Sequence, residues 1–370
     1  GTSFAAPVVS ATLALMKDRF RGQLGHVELV KRLMATADDG LHEDDDPAHD
    51  GITSVEYGAG VVDPEAALSP VGVLATGIAG NTAPLGATRL RMPAAYGDAA
   101  ARIAHIGIAA FDAANAPFWI PAGRLIEVGP TAEDPIPRFE DDAPARAGCA
   151  ALAAIAPRWD CLPFGEDGNA RLLVGDDGAG IRVPSSLGLS VAALTRAGGR
   201  LDGEGRGAFS FDAGSSLLAV QAERGFALDR SGRWSLGGAA SLALDLPRGI
   251  GNGSGSMFDA GPTLISSWSL SLEHREGGRR DRITVTQPAR VEAGTGYLRF
   301  PSGRRVDGER TFEHIAFPLR PTSRTITARW SHSRPVGPGD GIVSVFHSRN
   351  PGHARTSDDI GAGVAWRLLW

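Results

Sequence analysis

From residue 181 onward, apolar and polar positions alternate along the chain. In 233–245 the even positions are Trp234, Leu236, Gly238, Ala240, Leu242 and Leu244, and the odd ones are mostly Ser, Ala and charged. The segment 263–273 sets Leu264, Trp268, Leu270 and Leu272 against Ser267, Ser269, Ser271 and Glu273. The same alternation recurs at 325–331 and in Val364, Trp366, Leu368 and Trp370, with Arg367 on the other side. A period of two residues predicts strands, about ten to twelve of them, in one antiparallel structure over 181–370. Its apolar side should carry Trp234, Leu236, Leu242, Trp268, Leu270, Trp330, Trp366 and Trp370. A slip of one residue would invert every side chain, so the register is strongly specified. Two geometries fit. In a barrel the apolar side faces outward, and Ser235, Ser241, Ser269 and Arg367 line a lumen. In a sandwich the apolar side meets a second sheet.

The first 70 residues read differently. Val8, Val9, Thr12, Leu13, Leu15 and Met16 make one helical set; Val27, Leu29, Val30, Leu33 and Met34 make a second. Pro64 opens a short third helix, since proline is tolerated in a first turn. Residues 71–180 are rich in Ala and Pro and read as a connecting region. Within it, 103–111 and 118–128 could be strands, and 133–145 reads as a loop. The expected organisation is therefore 1–70, 71–180 and 181–370.

Composition narrows the function. The chain holds 49 Gly and 24 Pro in 370 residues, which favours many turns and a β-rich class over a bundle. A net charge of -5 argues against nucleic-acid partners, which call for a basic face. No run of 18 apolar residues predicts a membrane-crossing helix. There is no signal peptide, and a start at Gly1 without Met suggests the tail of a longer protein. The two cysteines, Cys149 and Cys161, are close enough to suggest a small disulfide loop of an oxidising compartment.

The chemistry sits at the start. Gly1-Thr2-Ser3-Phe4-Ala5-Ala6-Pro7 opens a helix of small and apolar residues. A serine there has the positive end of the helix dipole and free N–H groups beside it, which suits a nucleophile needing an oxyanion site. Gly-Thr-Ser by itself also reads as an ordinary helix cap. The whole heptapeptide resembles the serine box of the subtilisin-like protease family. Tyr57-Gly-Ala-Gly-Val-Val-Asp63-Pro64-Glu65-Ala66-Ala67-Leu68 resembles the segment that closes such domains. The resemblance covers residues 1–70 and implies that they are the C-terminal fragment of an α/β catalytic domain, with Ser3 as nucleophile of a serine endopeptidase acting on polypeptides. The family's Asp and His boxes, and the Asn of its oxyanion site, lie upstream of the serine and are not found here. The nine histidines (26, 42, 49, 105, 274, 314, 332, 347 and 353) sit in unrelated contexts and read as surface or core residues. The chain alone should therefore be inactive, with Val8, Leu13 and Leu15 partly uncovered for want of the parallel sheet.

A subtilase followed by a β-rich C-terminus ending on an aromatic loosely resembles the autotransporter serine proteases of Gram-negative bacteria. That likeness implies an extracellular or outer-membrane location, with the late strands as a membrane translocator or anchor. A surface β domain without catalysis is the alternative. No cofactor is expected, although His42-Glu43-Asp44-Asp45-Asp46-Pro47-Ala48-His49-Asp50 offers oxygen ligands that could hold calcium and, less well, zinc through His42 and His49. Asp167-Gly168-Asn169 and Asp176-Asp177-Gly178 read as turns. Arg275, Arg279, Arg280 and Arg282 read as a basic turn in water at a strand end.

Overall fold

A computed structural model describes residues 2–40, 58–78, 80–128, 160–164, 170–175, 178–184, 189–196, 204–210, 214–247 and 255–368. Three helices lead the chain: α1 (Thr2–Arg19), α2 (His26–Ala35) and α3 (Pro64–Leu68). Pro7 lies inside α1, in its second turn, where it has no N–H to donate to the carbonyl of Ser3; the first-turn position expected of it is therefore not met. The helix ends where Gly22 adopts a left-handed conformation (φ +67°) and its N–H bonds the carbonyl of Lys17. Glu28 accepts a hydrogen bond from the Gly25 N–H at the start of α2. Asp63 caps α3 through the Ala66 N–H.

Strands follow. The first six are β1 (Ala75–Ile78), β2 (Asn81–Pro84), β3 (Arg89–Met92), β4 (Gly107–Phe111), β5 (Pro117–Pro121) and β6 (Ile126–Val128). Next come β7 (Asp160–Phe164), β8 (Ala170–Gly175), β9 (Gly178–Pro184), β10 (Leu189–Arg196), β11 (Glu204–Arg206), β12 (Ser215–Ala227) and β13 (Trp234–Pro247). The last are β14 (Phe258–Ala260), β15 (Thr263–Glu276), β16 (Arg279–Ala293), β17 (Thr295–Arg304), β18 (Arg310–Pro318), β19 (Ile326–Val336), β20 (Gly339–Arg349) and β21 (Asp359–Leu368). The molecule is mostly antiparallel β-structure, as the alternation and the turn residues imply.

One sheet holds eleven strands in the order β21-β20-β19-β16-β15-β13-β12-β10-β9-β8-β7. Its connections sort into two kinds. At one end β15 and β16 are joined by residues 277–278, β19 and β20 by 337–338, and β12 and β13 by 228–233. At the other end lie the long connections 197–214, 248–262, 294–325 and 350–358. The long connections build the smaller sheets: β11 pairs with β3, and β14 pairs with β17, which pairs with β18. Among the described residues no pairing joins β7 to β21, so the sheet is open rather than a closed barrel. Among the described residues there is no second large sheet to make a face-to-face sandwich either.

The large sheet begins at Asp160, earlier than the alternation indicates, and 75–128 carries a four-stranded sheet (β2-β1-β4-β5) and 3-10 turns within what reads as a connector. The strand read at 103–111 covers Gly107–Phe111, and 118–128 divides into β5 and β6. Cys161 is disulfide-bonded, with no free cysteine in the structure; the chain's other cysteine, Cys149, lies outside the described residues.

Two cores result. Met16, Phe20, Leu24, Leu29, Leu33 and Ala67 of the helical segment pack with Ala116 and Phe118 of the β4–β5 hairpin. The larger core joins Leu90, Met92, Tyr96, Ile103 and Ile108 to Phe209, Met257, Phe258, Leu298 and Phe300 of the long connections. It continues into Leu173, Leu194, Leu217, Ala243, Ile265 and Val291 of the large sheet. Burying this apolar surface at the end with the long connections fixes the 75–128 region there.

Candidate functional site

Ser3 stands in the first turn of α1, exposed to solvent. Its hydroxyl has no hydrogen-bond partner among the described residues, in contrast to Ser10 and Thr12, which bond back to the carbonyls of Ala6 and Val8. No described histidine is hydrogen-bonded to it. His332 pairs with Asp281 at 2.8 Å and His347 with Asp358 at 3.0 Å, both on the large sheet or its loops. His42, His49 and the whole acidic stretch 42–50 lie outside the described residues, as do Asp167, Asn169, Asp176 and Asp177. Among the described residues no cluster of His, Cys, Asp and Glu has the form of a metal site.

The helix carrying Ser3, α1, and its neighbour α2 each have two apolar stripes. On α1, Val9, Thr12, Leu13, Met16 and Phe20 face the small core, while Phe4, Val8, Ala11 and Leu15 lie along the opposite side at helical spacing, with Phe4 83% exposed. On α2, Leu29 and Leu33 are buried, whereas Val27, Val30 and Met34 are exposed. A helix apolar on two sides is a helix built to be covered on two sides. Leu13, expected to be partly uncovered, is partly buried against the Phe118 core; Val8 and Leu15 are exposed.

No protein-family model matches the chain, and no curated protein or solved structure matches it either.

The large sheet is the second site. Its two faces invert the usual arrangement of a water-soluble sheet. Leu218, Val220, Leu242, Leu244, Leu270, Ile283, Val343, Val345 and Val364 lie on one face and are all exposed. Trp234, Trp330 and Trp366 share that face, near the end with the short turns. Trp268, on the same face, is less exposed and donates through Nε1 to Gln287; Trp370 lies outside the described residues. The opposite face is buried: toward the long connections it carries Leu194, Leu217, Ala219, Ala243 and Ile265 of the larger core, and between and beyond them it is polar. Ser241 and Ser267 join across β13 and β15 at 2.7 Å, and Thr327 joins Ser348 at 3.0 Å. Arg182 reaches Ser190 and Gln221. Arg275, Arg280 and Arg282 converge on the buried Glu273. The basic turn read from sequence is therefore only partly in water, since Arg280 and Arg282 are turned inward to a shared carboxylate. Their spacing carries no sign of this, because it depends on the pairing of Glu273 with Arg282.

From Leu218 to Phe226 on β12, a run whose face also carries the exposed Arg224 near its short-turn end, is about 27 Å at about 3.4 Å per residue, or about 20 Å of height at a barrel-like tilt of about 40°. Outer-membrane spans carry a band of about 25 Å.

Proposed function

We propose that the chain is the C-terminal part of a secreted subtilisin-like serine endopeptidase, with Ser3 as the nucleophile that attacks peptide carbonyls. The observation that carries this reading is the seat of Ser3. It stands exposed in the first turn of a helix whose second apolar stripe (Phe4, Val8, Ala11 and Leu15) none of the described residues covers. A parallel sheet of an α/β domain would cover that stripe and bring a general base to Ser3. The base takes the hydroxyl proton as Oγ bonds to the carbonyl carbon, a carboxylate orients the base, and N–H groups at the helix start hold the oxyanion. With no such base, the hydroxyl stays protonated and weakly nucleophilic. The test is labelling by a fluorophosphonate. The polypeptide extended upstream through in-frame Asp and His boxes should be labelled, its Ser3→Ala variant should not, and this chain by itself should not. Labelling of this chain alone at the rate of an active hydrolase would overturn the reading.

The inverted sheet favours a second role in the same polypeptide, an outer-membrane anchor or translocator. Exposed leucines and valines, over a covered face that is ion-paired toward the short turns and packed on the larger core toward the long connections, suit a wall whose outer side meets lipid. The requirement is strict: lipid admits only closed strands. Eleven antiparallel strands leave β7 and β21 running in the same direction, so an all-antiparallel closure needs one further strand. If the long connections lie outside the cell, the helices bearing Ser3 lie there too, because β17 of the 294–325 connection holds them through Arg304, bonded to Glu28 at 2.7 Å and to Gln23 at 2.8 Å. Retention of the chain in washed membranes after alkaline extraction supports the anchor, and complete release contradicts it.

A further inference from the structure

At the short-turn end of the large sheet, the apolar band gives way to charge within two rows of residues. The row through Phe226, Leu236, Leu272, Ile283, Trp330 and Val345 is apolar throughout. The next row is mixed and contains Trp234, His274, Asp281 and His332. Beyond it stand Arg279 and Arg334.

These two arginines form an unusual pair. Arg280 lies opposite Ser333 and Asp281 opposite His332, so one step along the same register sets Arg279 opposite Arg334. The 277–278 turn lies against the far strand, since a side-chain carbon at Gly278 would come within 3.4 Å of the Pro335 ring. Like charges directly opposed across strands are destabilising. The nearby acids are occupied. Glu276, cross-strand from Arg279, accepts from Arg233 at 2.8 Å. Asp281 is taken by His332 at 2.8 Å, and Asp340 by Arg367 at 3.3 Å. Both Arg279 and Arg334 are exposed, and neither has an ion-pair partner among the described residues. Arg334 pairs with Gly341, and Gly341 with Trp366; the Val336 side chain lies over Gly341, and the Trp366 Nε1 donates to the Val336 carbonyl at 3.3 Å, so the indole stands on the same face beside the strand that carries Arg334.

We propose that Arg279 and Arg334 bind the phosphate of an anionic membrane phospholipid, with Trp366 against its glycerol and upper acyl region. The inference rests on the membrane reading of the sheet. A phosphate between the two guanidinium groups converts their repulsion into paired, charge-assisted hydrogen bonds. An indole two strands over from Arg334, on the edge of the apolar band, sits at the depth where such rings are favoured. An anionic lipid is selected over a zwitterionic one because the pair carries two positive charges and no free acid balances them.

The test is native mass spectrometry of the full chain released from nanodiscs of phosphatidylcholine and phosphatidylglycerol in equal amounts. The wild-type chain should retain one phosphatidylglycerol in preference to phosphatidylcholine. Arg279→Gln and Arg334→Gln should each weaken that preference about five-fold, while the charge-keeping Arg279→Lys, which guards against loss through misfolding, should retain it. A chain that enters the discs and shows no lipid preference, or a preference unchanged in both Gln variants, overturns the phosphate site and leaves the anchor reading standing. A wild-type chain that never enters the discs overturns the anchor reading, and the site with it.

Discussion

Arg32 of α2 and Asp112 of the β4–β5 hairpin are joined at 2.6 Å, and both side chains are almost wholly buried. Arg32 also donates to the carbonyls of Ala67 and Ser69, and its guanidinium lies over the rings of Phe20 and Phe118. Asp112 accepts further from the N–H groups of Val71, Ala114 and Ala116. One ion pair thus gathers all three helices onto the β-region and fixes where Ser3 stands relative to the sheet.

Removing one side of such a pair strands the other charge in the core, which costs about 3–5 kcal/mol. Asp112→Ala in the full chain should therefore speed hydrogen exchange of the slowest α2 amides by at least about a hundred-fold. Exchange in β15 should be unchanged. Unaltered exchange in α2 would show that the junction does not hold the helices.

His353 supplies a pH dependence. It is 1% exposed in the connection between β20 and β21. Its Nδ1 accepts from the Thr325 N–H, so Nε2 carries the proton and donates to the carbonyl of Ala289. Burial lowers its pKa to about 4, with Arg290 and Arg324 adding to the effect and Glu292 opposing it. The folded state thus holds the neutral ring, while the unfolded chain takes a proton near pH 6.5. This contribution is complete above about pH 6.5 and is lost as pH falls toward about 4, by about 3 kcal/mol in all. Denaturant midpoints of the wild type should drop across that window, and those of His353→Gln should drop distinctly less.

Leu242 lies on the exposed apolar face of β13. In lipid, Leu242→Arg should destabilise the reconstituted chain by about 2–4 kcal/mol, the cost of an arginine near mid-bilayer on a barrel's outer face. On a water-facing sheet the same change should stay within about 0.5 kcal/mol. Urea titration in vesicles distinguishes the two.

How much of this was legible from the residues depended on range. The segment 233–245 announces β13 because Trp234, Leu236 and Leu242 keep one parity over polar neighbours, and the register with β15 holds them on one face. Strands β7 to β9 are not legible in the sequence, because Pro163, Gly178, Gly180 and Pro184 interrupt runs too short to show a period. The stretch 311–319 reads as a strand and forms β18, but nothing local tells that it pairs with β17 outside the large sheet. The serine box is local and legible. Arg32 and Asp112 are 80 residues apart, and Arg279 meets Arg334 only through pairing, so neither contact exists until the fold does.

The direction each face of the sheet looks is the most direct test of the account. Spin labels at Leu242→Cys and Ser241→Cys, adjacent on β13, can be placed without labelling Cys161, which is disulfide-bonded. In vesicles the label at 242 should collide with oxygen and be shielded from a water-soluble nickel chelate, while the label at 241 should not show that lipid signature. A label at 242 open to the nickel chelate and no more reachable by oxygen than the label at 241 would contradict the reading of this sheet as a wall facing lipid.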